Sequence, residues 1–135
     1  MSETEKLARF SALLSPLSDL GPPSMEYSES ASFGDYLVKA TWPDLELRLV
    51  QDKGVETIDV RPPRLADEWF DLPLVIEFLG DGDAADSRTL DQQVAWMAAH
   101  LPDLRSAFQS SRWPSTKREL ERSQKRRAEL RFGLK

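Results

Sequence analysis

From Tyr36 to Val60 the chain alternates in hydrophobicity with a period of two residues. Tyr36, Val38, Ala40 and Trp42 alternate with Leu37, Lys39 and Thr41. Leu45, Leu47 and Leu49 alternate with Glu46 and Arg48, and Ile58 and Val60 with Thr57 and Asp59. Only an extended strand sends successive side chains to opposite sides, so this stretch cannot be helical. Pro43-Asp44 and Asp52-Lys53-Gly54 separate the runs with turn residues. The pattern predicts a three-stranded antiparallel meander with one apolar face and one wetter face. An apolar sheet face must be covered, and the rest of the chain has to supply the cover.

The flanking segments have helical period. Leu7, Phe10, Leu14 and Leu17 form an N-terminal stripe that Gly21-Pro22-Pro23 ends. Ser24–Ser32 is polar and reads as a loop or a weak edge strand. After Pro62-Pro63, Asp71 is an expected N-cap with Pro73 in the first turn and Gly80 an expected C-cap, around a segment apolar nearly all round. Leu90, Val94, Met97, Leu101, Leu104 and Phe108 make the cleanest stripe; Pro102 implies a kink or two consecutive helices. Trp113-Pro114-Ser115 reads as a break with Ser115 as N-cap. Thr116–Arg131 then forms a charged helix whose apolar residues make no good stripe, so most of it is expected in solvent. The expected fold class is α+β: an N-terminal helix, the three-stranded meander, and three to four C-terminal helices packed on one sheet face.

Length and charge narrow the function. A chain of 135 residues with 40% hydrophobic and 30% charged residues fits one globular domain. With no cysteine and a single histidine, thiolate catalysis, disulfides, Cys-ligated metals and multi-His metal sites are excluded within one chain. There is no phosphate-binding glycine loop and no nucleophile elbow. No cofactor, metal site or catalytic residue is expected. The acidic start, the broken apolar stretch Leu7–Leu20 and the absence of a long apolar run predict a cytoplasmic protein with no membrane partner. Residues 1–111 carry 9 basic against 20 acidic side chains, a net of −11; residues 112–135 carry 9 against 3, a net of +6. The reading is therefore an acidic α+β body, 1–111, and a basic C-terminal helix, 112–135, belonging to the same domain.

Several residues are candidates for function. Trp69 and Phe70 stand among Asp67, Glu68 and Asp71, a composition that can bind a protein or pin a helix entry to the core. Asp81, Asp83 and Asp86 resemble a calcium loop but fail at positions five, six and twelve, and read as a solvated acidic loop. Glu77 is the one charge in an apolar segment: either a general acid or base, or, preferably, a group at a wet helix edge or paired with an arginine. His100 reads as a half-exposed surface residue. Arg118, Arg122, Lys125 and Arg126 could contact nucleic acid or a second copy of the chain. Their helix lacks stacking aromatics and is expected to pair Glu121 with Lys125 and Lys125 with Glu129, which favours a solvated helix or one docked on the acidic body.

Leu45-Glu46-Leu47-Arg48-Leu49-Val50-Gln51-Asp52-Lys53-Gly54, then Ile58-Asp59-Val60 and Trp69-Phe70-Asp71-Leu72, resembles small bacterial proteins similar to the immunity proteins that accompany polymorphic or contact-dependent toxins. The resemblance spans roughly Phe33–Gly80 and implies a non-enzymatic protein that binds one cognate toxin. An acidic field suits the basic cleft of a nucleic-acid-cutting toxin. The expected partner surface is Asp67, Glu68, Trp69 and Asp71, with Asp81, Asp83 and Asp86 as electrostatic contacts. The alternatives are a nucleic-acid-binding accessory protein and an oligomeric adaptor, including a homodimer that pairs basic tail with acidic body.

Overall fold

The computed structural model describes residues 2–29, 35–81 and 88–131. Helix α1, Glu3–Leu13, opens with a capping box in which Ser2 and Glu5 bond each other's backbone N–H groups. Pro16 follows too closely for the helix to continue, so the chain passes into a 3-10 turn, Ser15–Leu20, which ends at Gly21 with φ of 82°. Strands β1 (Ser24–Glu29), β2 (Tyr36–Thr41), β3 (Glu46–Asp52), β4 (Val55–Arg61) and β5 (Phe70–Asp71) follow. They pair antiparallel in the order β1-β2-β3-β4-β5.

The sheet thus has five strands, not three. The polar segment after Pro23 forms β1, paired through all six residues from Ser24 with Thr41 to Glu29 with Tyr36. At the other end, Phe70 pairs with Val60 and Asp71 with Asp59, so the segment before the expected N-cap first adds a short strand. The β3–β4 hairpin closes through Lys53-Gly54, with φ of 53° and 82°. Two positive φ values in a two-residue loop match the right-handed twist of the strands. Lysine is strained there, so Lys53→Asn is expected to raise stability by about 0.5–1 kcal/mol, read as a shift in the urea midpoint.

Asp71 caps α2, Leu72–Ile76, by accepting a hydrogen bond from Leu74 N at 2.8 Å, and Pro73 lies in the first turn as expected. A π-helical turn, Glu77–Asp81, follows, with Gly80 at φ of 99°. The long apolar stripe resolves into two helices, α3 (Leu90–Ala99) and α4 (Leu101–Ala107), with Pro102 in the first turn of the second. Helix α5, Trp113–Arg131, begins at Trp113 and takes Pro114 and Ser115 into its first turn. Ser115 is therefore not the N-cap. Proline needs no hydrogen bond in a first turn, so the expected break becomes a helix start.

The register puts Met25, Tyr27, Tyr36, Val38, Ala40, Leu47, Leu49, Ile58, Val60 and Phe70 on one sheet face. There they join Phe10, Leu17, Leu74, Val94, Met97, Leu104, Trp113 and Leu120 in one core. The described helices accordingly pack on this face and not on the opposite one. No helix among the described residues is long and apolar enough to cross a membrane.

Candidate functional site on the open sheet face

The polar positions of the alternating runs lie together on the uncovered face. Glu26 stands opposite Lys39, Lys39 opposite Arg48, Arg48 opposite Asp59, and Glu46 between Thr41 and Arg61. Ion pairs cross the strands: Glu26–Lys39 at 3.1 Å, Lys39–Glu46 at 3.8 Å, Glu46–Arg61 at 2.7 Å and Arg48–Asp59 at 2.7 Å. Glu46 is the most enclosed of these groups, its side chain 6% exposed. Burial alone would raise its pKa. The Thr41 hydroxyl and Arg61 guanidinium that bond it, and the nearby Lys39 ammonium, outweigh that and hold it below the ordinary carboxylate value.

Trp69 lies over this lattice. Phe70 faces the core, so strand alternation turns its neighbour Trp69 to the open side. Its ring centroid is 4.6 Å from the guanidinium of Arg48 and 4.1 Å from that of Arg61. Arg61 also donates to the carbonyl of Asp67 at 2.6 Å, which pins the segment leading to Trp69. The arrangement gives a half-buried aromatic plane on a charged, internally neutralised surface. Each guanidinium already pairs with a carboxylate, so the face offers contact area and directional polar edges rather than an unpaired acid or base.

The structure divides the residues singled out from the sequence. Asp67 and Trp69 reach the rim and centre of the open face. Glu68 and Asp71 turn to α5 instead: Glu68 lies 3.7 Å from Lys117, and Asp71 accepts from Arg127 at 2.7 Å. Asp83 and Asp86 lie outside the described residues, and Asp81 ends the π-helical turn. Glu77 is 3.7 Å from Arg127 with its side chain 38% exposed, so it stands at a helix edge beside an arginine. His100 stacks on Trp96 at 4.2 Å, and its Nδ1 is 2.8 Å from the Trp96 carbonyl. A carbonyl only accepts, so Nδ1 carries the proton.

Arg118, Arg122, Lys125 and Arg126 are exposed on α5. Arg122 pairs with Glu119 at 2.7 Å and Arg126 donates to Ser123 at 3.3 Å. The expected Glu121–Lys125 and Lys125–Glu129 pairs are not formed. The carboxylates that interrupt this face weaken its pull on a phosphate backbone. Among the described residues no group of three or more His, Asp or Glu side chains is placed to hold a metal ion.

Arg48, Arg61, Lys39 and Glu46 were not picked out by sequence reasoning. The signal was present as the polar half of each alternating run; joining the halves into rows requires the register. No family model, curated protein or solved structure matches this chain.

Proposed function

We propose that the chain is a non-enzymatic protein-binding module, and specifically an antidote that neutralises a cognate bacterial toxin by docking on the open face of its sheet. The observation that carries this reading is Trp69, held over Arg48 and Arg61 on the sheet face that no described helix covers. Tryptophan and arginine are the residues on which binding energy concentrates, and a pre-ordered side chain loses little entropy on binding. The net charge of −5 favours a basic partner, whose approach the field would steer. With Glu68 and Asp71 engaged by α5, and Glu46 and Asp59 paired across the sheet, the acidic contribution near the tryptophan comes from Asp67 at the rim.

The test is to search the genes flanking this one for a toxin domain and to co-express that domain with the chain. The native chain restores growth and binds the purified domain. Trp69→Ala stays folded, because that ring is only half-buried, and loses binding by about 30-fold, the effect of one hot-spot residue. Undiminished binding by Trp69→Ala rejects the open face as the docking surface. A neighbouring toxin that the native chain neither binds nor neutralises rejects the antidote reading.

A further inference from the structure

The two ends of the sheet differ. β5 is two residues long and runs directly into α2. β1 pairs through its full length with β2 and, among the described residues, has no strand on its other side. In an antiparallel ladder every second residue aims its N–H and C=O away from the paired neighbour, so β1 presents a row of backbone groups outward. Among the described residues no loop or helix backbone bonds to Ser24–Glu29. Natural edges are usually guarded by charged side chains, lysine above all, by proline or by a bulge. The strand Ser-Met-Glu-Tyr-Ser-Glu has no lysine, proline or bulge, and its two charges, Glu26 and Glu29, oppose an acidic strand but admit a basic one. Beside its first residues lies a groove of about 390 Å³ with walls from Leu14, Leu17, Pro22, Pro23 and Met25.

We infer that β1 is a strand-addition site, on which a partner protein lays an extended segment bearing lysine or arginine and sets one apolar side chain into the Leu14–Leu17–Met25 groove. This rests on the protein-binding reading and adds a second part to its interface. Backbone pairing would give affinity, and the groove would choose the side chain. The charge of the segment follows from β1, whose ionisable groups besides Tyr27 are Glu26 and Glu29. They fall on opposite sides of the sheet, and Glu26 is 71% exposed even with Lys39 beside it. Bases on the incoming strand meet a carboxylate on either face.

A second copy of the chain fits less well. Of the twofold registers of β1 that keep apolar face with apolar face, the two that pair most of the strand set either Glu26 against Glu26, or Tyr27 against Tyr27 with Met25 facing Glu29. The first opposes like charges, and the second places a thioether against a carboxylate.

The probe is a short peptide alternating lysine with valine and leucine, compared with the same peptide carrying glutamate for lysine, against the isotope-labelled full chain. The lysine peptide is expected to shift the amides of Ser24–Glu29 and the methyls of Leu14 and Leu17, and to slow exchange of the β1 amides. The double variant Glu26→Lys, Glu29→Lys weakens binding about tenfold, whereas Trp69→Ala leaves it unchanged. Loss of toxin binding in Trp69→Ala with no peptide effect at β1 overturns the edge site and leaves the protein-binding reading standing. Equal binding of the glutamate peptide overturns the basic-partner assignment, and absence of binding overturns the site. Protection of β1 that appears with rising protein concentration and no peptide overturns it in favour of self-pairing.

Discussion

Replacing Trp113 with alanine is expected to lower the unfolding free energy by about 3–5 kcal/mol, the range for truncating a large aromatic in a core. Trp113 is 5% exposed and sits edge-on to Phe70 at 5.9 Å and to Phe108 at 5.5 Å. It joins the end of α4, the strand that closes the sheet, and the first turn of α5. Thr116 adds a buried bond to the Ala107 carbonyl at 2.8 Å, and Leu120 is fully enclosed one turn on. Natural domains are stable by only about 5–15 kcal/mol, so the loss is felt everywhere. The expected result is one cooperative transition, by far-ultraviolet dichroism and by tryptophan fluorescence, displaced to much lower urea. Leu130→Ala, at a position 78% exposed, should stay within about 0.5 kcal/mol of the native chain. If Trp113→Ala melted α5 alone and left the sheet at its native midpoint, the basic helix would be an appendage rather than part of the domain.

That helix shows why some of the fold was hidden in the sequence. Its docked positions are Trp113, Thr116, Leu120, Ser123 and Arg127, spaced +3, +4, +3 and +4. The spacing is that of an amphipathic helix, but three of the five residues are polar, so no hydrophobic count finds it. Thr116 is satisfied by a backbone carbonyl and Arg127 by Asp71, partners known only once the chain has folded. β1 was obscure for a related reason. An edge strand with one wet face needs apolar residues at few positions, here Met25 and Tyr27, and such a segment resembles a loop. β5 exists because Phe70 meets Val60, and a strand of two residues is too short for alternation to reveal it. By contrast β2, β3 and β4 lie mid-sheet with one face in the core, so their alternation was complete and legible.

The candidate site was legible by half. Trp69 stood out as an aromatic among carboxylates, but its supports did not, because Arg48 and Arg61 are remote in sequence and meet through strand pairing. The acidic neighbours were overvalued for the opposite reason. Charge seen along a sequence looks free, and Glu68 and Asp71 found cations in the same chain. A basic segment after an acidic body is thus as much a signal of internal docking as of an external partner.

Glu46 provides the sharpest electrostatic test of the open face. Glu46→Gln removes the charge and keeps the shape, leaving Arg61 and Lys39 without their shared carboxylate. The expected loss near neutral pH is about 2–4 kcal/mol, somewhat below that for breaking a fully buried pair, because both cations retain some water. The pH dependence has a definite sign. The folded-state pKa of Glu46 lies below the ordinary value of 4.5, so between the two values the unfolded chain binds the extra proton. The stabilisation is complete above about pH 4.5 and disappears as pH falls through the folded value. Urea midpoints of the native chain and Glu46→Gln should therefore stand well apart at pH 7 and converge on acidification below pH 4.5. The same substitution loosens Arg61 from Glu46 and with it the base on which Trp69 rests, so binding of the proposed partner should fall even where the variant is folded. A midpoint gap that held constant into strong acid would show that the effect is one of packing. Binding unaffected by Glu46→Gln would show that Trp69 does not depend on the ion-pair lattice beneath it.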